Sequence, residues 1–283
     1  MKILVTGVTG QLGFDVMRVL RERGIACRGV GHAEFPLTQR EAVLRCITTY
    51  KPDVVVHCAA YTAVDKAEDE PALCEAVNAV GTRFVAEACA AVGAAIIYIS
   101  TDYVFDGEGM SFYETDAPKG PQNVYGRTKL AGELAVQEML DNYYIVRISW
   151  VFGLHGNNFI RTMLRLAESH PTLRVVADQY GSPTYTRDLA GLLADMAQSR
   201  HYGIYHATNE GICSWAELAA EVFRQAKRPV EVVPVSSEEY PVKAKRPHNS
   251  RLSKKSLDAA GFARLPSWQD AVGSCLKEIC HGK

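Results

Sequence analysis

The stretch Lys2-Ile3-Leu4-Val5-Thr6-Gly7-Val8-Thr9-Gly10-Gln11-Leu12-Gly13 decides how the rest of this chain is read. Lys2 to Thr6 has the apolar, β-branched character of a buried strand, and Gln11 to Arg23 carries apolar residues at helical spacing until Gly24 stops it. Between them Gly7, Gly10 and Gly13 stand three apart, with Gln11 and Leu12 in the same turn. Small residues there permit a tight bend and a close backbone approach. A diphosphate can then lie against the unpaired N–H groups and positive end of the helix. A glycine-rich turn without a ligand is the bland alternative, but the position directly after a first strand favours a dinucleotide.

Outward from this turn, β-branched runs alternate with helical patterns: strands at Ala26 to Gly31, Val54 to Cys58, Ala95 to Ser100 and Tyr144 to Trp150, and helices at Gln39 to Lys51, Pro71 to Val92 and Gln122 to Asp141. That alternation predicts an α/β fold with a Rossmann-type doubly wound parallel sheet. Beyond Gly153 the spacing predicts helices at Asn158 to Glu168, Thr186 to Ser199 and Ser214 to Ala226. Strands are expected around Leu173 to Ala177, Gly203 to Ala207 and Val230 to Val235, then a basic loop Lys243 to Arg251 and two short helices to the end. The expected division is a dinucleotide-binding unit over 1–153, with 178–207 returning to it. A smaller mixed α/β substrate-binding unit would cover 154–177 and 208–283. Open α/β sheets bind ligands beyond the carboxyl ends of their strands, so the smaller unit should close over that edge.

Composition narrows the function class. Lys plus Arg number 31 and Asp plus Glu 32, for a net charge of -1, which supplies no field for nucleic acid or an anionic membrane surface. Charged residues at 22% beside 47% hydrophobic ones exclude a disordered chain. No basic leader precedes the first strand, and no run approaches the roughly 20 apolar residues of a membrane span. The eight cysteines contain no C-x-x-C pair and read as reduced thiols of a cytoplasmic protein. The eight histidines show no ligand spacing, so no metal site is assigned.

An NAD-selective fold ends its second strand on an acidic residue that accepts the ribose hydroxyls, whereas this chain has Cys27-Arg28-Gly29-Val30-Gly31-His32. No carboxylate is expected there. Arg28 and His32 would tolerate or bind a 2′-phosphate, which favours NADPH and leaves NADH as the alternative; a solvated strand-end charge is the other reading of Arg28. Ala59, Ala60 and Tyr61 follow the third strand, and the two alanines are small enough for a dinucleotide to pass.

Tyr125 and Lys129 lie four apart at the start of a helix, which places phenol and ammonium on one face. An isolated tyrosine has a pKa of about 10, so ionising it at neutral pH costs roughly 4 kcal/mol. A neighbouring ammonium and a cationic nicotinamide would lower that cost, making Tyr125 a proton donor to a carbonyl as hydride arrives. Thr101, after Ser100 at the end of the fourth strand, could hold the same carbonyl oxygen. A half-buried Tyr with a solvated Lys is the common alternative for this spacing alone.

Together these residues resemble the extended short-chain dehydrogenase/reductase family, and within it the dTDP-4-dehydrorhamnose reductases. The resemblance covers nearly the whole chain. It is carried by Val5 to Gly13, Ala59 to Glu68, Ser100 to Gly107, Asn123 to Lys129, Arg147 to Gly153 and Asp178 to Thr184, with Arg246-Pro247 and Ser250-Arg251-Leu252. It implies NADPH-dependent reduction of the C4 ketone of dTDP-4-dehydro-L-rhamnose (dTDP-6-deoxy-L-lyxo-4-hexulose) to dTDP-L-rhamnose. Tyr125 would give the proton, Lys129 would bind the nicotinamide ribose, and Thr101 would orient the ketone. Thr101, Asp102, Tyr103, Trp150 and Asn158 would meet the sugar nucleotide; core packing is the alternative for Trp150. Phe35-Pro36-Leu37-Thr38-Gln39 departs from the family's acidic stretch at the adenine end. Some relatives form a dimer bridged by Mg²⁺; only Asp15 offers a carboxylate at a matching place, so the metal is not assigned and monomer or homodimer stays open.

Two rivals remain. Dehydratases of this fold place an acid after the Thr-Asp pair, where this chain has Tyr103, so simple reduction is favoured over elimination or epimerisation. A non-catalytic NADP-binding regulatory subunit would keep the fold but need no intact Thr101, Tyr125 and Lys129.

Overall fold

The computed structural model describes residues 1–281. In chain order the first half contains β1 (Lys2–Thr6), α1 (Gln11–Glu22), β2 (Ala26–Val30), α2 (Arg40–Tyr50), β3 (Val54–His57), α3 (Val64–Ala67) and α4 (Pro71–Glu75). A π-helical turn (Ala76–Val80), α5 (Gly81–Val92), β4 (Ala95–Thr101), α6 (Val124–Met139) and β5 (Tyr143–Ile148) follow. The second half adds β6 (Val151–Phe152), α7 (Phe159–Leu166), β7 (Thr172–Val176), β8 (Tyr180–Gly181), β9 (Thr184–Tyr185), α8 (Thr186–Ala197), β10 (Gly203–His206), β11 (Cys213–Ser214), α9 (Trp215–Gln225), β12 (Glu231–Val235), β13 (Asn249–Ser250), α10 (Lys255–Ala259) and α11 (Trp268–His281).

Six strands form one sheet in the order β10-β5-β4-β3-β1-β2, every pair parallel. The doubly wound α/β sheet expected from the alternation is borne out. Successive strand residues point to opposite faces, and each face has its own apolar layer. Ile3, Val5, Val56 and Ile97 pack with α1 and α8, whereas Leu4, Val55, Ile96 and Ile145 pack with α2, α5 and α6. Burying each such side chain contributes about 1.5–3 kcal/mol, so near-continuous apolar strands are what a two-sided sheet selects. The order in which strands are added reverses between β1 and β3. A crevice opens there beyond the strand ends.

The remaining strands pair apart from this sheet, as β11-β8-β13, β12-β7 and β6-β9. A third apolar cluster gathers α7, α9 and α11 around Phe152, Ile160, Val222, Phe223 and Trp268. Ser214 caps α9 through a reciprocal pair with Glu217, a short-range signal that sets the helix start.

Three expectations need correction. The helix expected over Pro71 to Val92 is interrupted by the π-helical turn, which turns Asn78 inward; apolar spacing does not register one extra residue in a turn. The strand expected to reach Trp150 ends at Ile148, and Trp150 itself takes φ +51°. The second of the two final helices is long, Trp268–His281, and its expected continuation to the chain end falls on 282 and 283, outside the described residues.

Candidate active site

The chain after β1 bends at Gly7, φ +70°, where any Cβ would lie 2.7 Å from the backbone of Ala59. A Cβ on Gly13 would come within 2.3 Å of the Gly7 carbonyl oxygen, so helix and turn are in backbone contact. Helix α1 begins at Gly10 with no side-chain cap and no acidic residue in its first turn. Its first N–H groups are therefore unclaimed by the protein, and they fit the diphosphate that the sequence anticipates. Gly7, Gly10, Gln11, Leu12 and Gly13 line a cleft of about 470 Å³.

The same cleft is lined by His32, Ala59, Ala60, Thr101, Asp102, Tyr103, Tyr125, Lys129 and Trp150. Residues as far apart in the chain as Gly7 and Val151 thus share one cavity. Phe35, Leu37, Thr38, Cys58 and Ser149, which carry no motif signal, also face it. Phe35 and Leu37 are buried and form an apolar wall of the cleft. The path of Ala59 to Tyr61 is held from beneath: the Asn78 side chain accepts from the Tyr61 N–H at 2.8 Å and donates to its carbonyl at 3.0 Å. Below it, the Thr82 hydroxyl donates to the Asn78 carbonyl and must accept from His57 Nε2. His57 Nδ1 then accepts from Thr6, whose oxygen receives the Ala59 N–H. Burial keeps this imidazole neutral, down to about 3. The whole chain of bonds fixes the floor of the cleft.

Tyr125 enters from the first turn of α6. Asn123 caps that helix by accepting from the Gly126 N–H at 2.8 Å, and Glu68 accepts from the Val124 N–H at 2.7 Å. Tyr103 packs edge-on against Tyr125, ring centroids 5.5 Å apart. One turn on, Lys129 is 2% exposed; its ammonium donates to the Ile99 carbonyl at 2.7 Å and lies 4.0 Å from the Tyr98 ring centroid. Burial pushes Lys129 down to about 7, against the opposing charge of Glu133. Glu133 pairs with Arg147, each 1% exposed, and also accepts from Ser100, tying α6 to β4 and β5. Burial also raises the Tyr125 phenol, with the Asp102 carboxylate adding to the rise and the Thr101 hydroxyl opposing it. In the protein without cofactor the phenol thus lies above its ordinary value, the opposite direction to the lowering expected beside Lys129, and burial is the main cause. A raised phenol remains protonated, which is the form a proton donor needs.

The Thr101 hydroxyl donates to Asp102 Oδ1 at 2.9 Å and accepts from the Tyr103 N–H. Asp102 is buried and also accepts from Ser250; burial raises it to about 6. Trp150 stacks on Trp215 at 3.8 Å between centroids, and the Trp215 indole N–H donates to Gln179. Trp215 carried no sequence signal beyond being aromatic at a helix start.

Three anticipated site residues stand elsewhere. Arg28 does not line the cleft; its guanidinium lies over the Tyr50 ring, 5.7 Å from the centroid. Tyr61 turns its hydroxyl to Glu70 at 2.7 Å. Asn158 caps α7 and donates to Gln11 Oε1 at 2.9 Å, so it braces the glycine turn. The expectation of no carboxylate after β2 is also overturned: Glu34 folds back so that Oε2 accepts from the Gly31 N–H at 3.1 Å. A residue reached through a turn lies outside the linear strand-end pattern. Asp15 is fully buried, accepts from Thr186 and faces Arg18, surroundings that do not fit a bridging Mg²⁺. Among the described residues no group of three or more His, Cys, Asp or Glu is placed to hold a metal, and no helix is long and apolar enough to cross a membrane.

A parallel sheet with this turn after β1 and a Tyr–Lys pair on α6 facing one crevice defines a short-chain dehydrogenase/reductase, an oxidoreductase class. The family described as RmlD substrate binding domain matches residues 1–280. A dTDP-4-dehydrorhamnose reductase of Streptomyces griseus is 45% identical over 98% of this chain and 93% of that protein. Its counterpart in Escherichia coli (strain K12) is 40% identical over 99% and 98%. Among solved structures, dTDP-4-dehydrorhamnose reductase from Bacillus anthracis in complex with NADP superimposes with a TM-score of 0.96 at 40% identity, covering 98% of this chain and 99% of that one. The chain belongs to the dTDP-4-dehydrorhamnose reductase family of extended short-chain dehydrogenase/reductases.

Proposed function

We propose that this enzyme reduces the C4 ketone of dTDP-4-dehydro-L-rhamnose to dTDP-L-rhamnose with NADPH. The observation that carries the reading is the convergence of Thr101, Tyr125, Lys129 and Trp150 on the same cleft as the glycine turn. Reduced nicotinamide, when bound, supplies hydride to the ketone carbon. Tyr125, kept protonated by burial, gives its proton to the ketone oxygen. Lys129, next to it on α6, meets the nicotinamide ribose and, once protonated, stabilises the phenolate left behind. Thr101 would turn its hydroxyl from Asp102 to the ketone. This exchange is easier when Asp102, raised to about 6, is protonated. Trp150, backed by Trp215, offers a flat apolar wall to the deoxysugar.

His32 faces the cleft and suits the 2′-phosphate of NADPH, and the Bacillus anthracis relative is in complex with NADP. Glu34 at the end of β2 favours a second reading on the cofactor alone, in which NADH is also used. The free thiols suit a reducing, cytoplasmic setting. Purified protein given NADPH and a panel of nucleotide sugars should consume reduced nicotinamide with the dTDP-linked 4-keto-6-deoxysugar and yield dTDP-L-rhamnose. Binding of NADPH without consumption across the panel would sink the reductase reading.

A further inference from the structure

Ala244 to Pro247 follows the smaller sheet's β12 and reaches back to the catalytic helix. Arg246 Nη1 donates to the Tyr103 hydroxyl at 3.0 Å, while Nη2 pairs with Asp65 Oδ2 at 2.5 Å. The second oxygen of Asp65 accepts from the Ala244 N–H at 3.0 Å. The Lys245 carbonyl accepts from Asn123 Nδ2 at 2.9 Å, and Asn123 is the cap of the helix that begins with Tyr125. Lys243 pairs with Asp69, one turn beyond Asp65. Pro247 presses on Gly107, where an added Cβ would meet it at 2.6 Å. None of these side chains except Tyr103 lines the cleft.

Two of these contacts end on the immediate supports of Tyr125: the ring that packs edge-on against it and the residue that caps its helix. We propose that Asp65 and Arg246 are positioning residues for the reaction, latching the Ala244–Pro247 segment to α3 and thereby fixing Tyr103 and Asn123 against Tyr125. A guanidinium spans Asp65 and Tyr103 with two separate N–H groups in a fixed plane, and a single ammonium does not reproduce that fork. Releasing the latch leaves the cofactor turn untouched and lets the phenol drift from the ketone oxygen. The inference rests on the reductase reading for its kinetic effect but not for the latch itself.

The test uses Arg246→Lys and Asp65→Asn in the full chain, the second keeping a carbonyl for the Ala244 N–H while removing the charge that holds Arg246. Both should lower kcat by about 10²-fold, the loss typical of a displacement near 1 Å at a reacting group, with NADPH affinity unchanged. Both should also raise hydrogen exchange at the Ala244 amide by about tenfold or more while the exchange of β1 stays as in the wild type. An Arg246→Lys enzyme that loses only KM, beside a fully active Asp65→Asn enzyme, would mean that Arg246 touches substrate directly and would overturn the latch. Unchanged Ala244 exchange in both variants would overturn it too. If the wild type turns over no 4-keto sugar nucleotide, the reductase reading fails, and the exchange data still decide the latch.

Discussion

Replacing Lys129 with Met should make the cofactor-free protein more stable at neutral pH while removing its activity. The lysine is 2% exposed and held near 7 rather than its ordinary 10.5, with burial as the main cause. Between about pH 7 and 10.5 the unfolded chain carries a proton that the native chain has released, so native stability rises with pH across that window. Near pH 7 and below, the native protein bears the cost of the low-dielectric site; the gap from 10.5 to about 7 corresponds to about 5 kcal/mol at most. Losing the bond to the Ile99 carbonyl and the contact with the Tyr98 ring offsets about 1–2 kcal/mol of any gain. A net gain of about 2–3 kcal/mol is therefore expected for Lys129→Met at pH 7, read by urea denaturation without cofactor. Repeating the titration at pH 9 should narrow the difference, because there the wild type has recovered much of its deficit. A variant no more stable than wild type at pH 7, or one whose advantage grows toward pH 9, would refute the claim that desolvation of this ammonium dominates.

Tyr125→Phe should reduce kcat by about 10²–10⁴-fold if Tyr125 has the proposed role of proton donor, while the edge-on packing of Tyr103 is kept; near-normal turnover, with NADPH binding followed by fluorescence, would remove Tyr125 from that role. Glu34→Gln should tighten NADPH relative to NADH by about 5–10-fold, because it takes a carboxylate away from the end of β2; equal changes for the two cofactors in calorimetry would show that Glu34 faces neither. Gly13→Ala should abolish dinucleotide binding and destabilise the fold by more than about 2 kcal/mol, because its Cβ would lie 2.3 Å from a backbone oxygen that has no flexible end to move. A variant that melts and binds as wild type would mean that the turn relaxes.

The parts of this protein that were readable from the chain are those in which neighbours in sequence are neighbours in space. Gly7 to Gly13 shows its bend through residues three apart, Tyr125 and Lys129 share a helix face because they are four apart, and β1 to β5 read as apolar runs because both sheet faces are covered. Periodicity fails where one added residue leaves the apolar spacing unchanged, as in the turn that brings Asn78 under Tyr61. It fails again where a side chain folds back across a turn, as Glu34 does, and where a bend after a strand sets the direction, as at Trp150. The titration of Tyr125 differs from expectation for a related reason. The spacing to Lys129 is local, but the burial that raises the phenol, and the Asp102 carboxylate that adds to the rise, come from parts of the chain distant in sequence. Arg246 illustrates the limit most clearly. Its identity stood out in the sequence, yet its partners lie 143 and 181 residues away, and neither separation has a periodic signature. In a doubly wound sheet the strand ends and helix starts that face the crevice are local in sequence, whereas Arg246 reaches Tyr103 and Asp65 from a segment far along the chain. The chemistry is consequently legible before the structure is, and the precision of that chemistry is legible only after it.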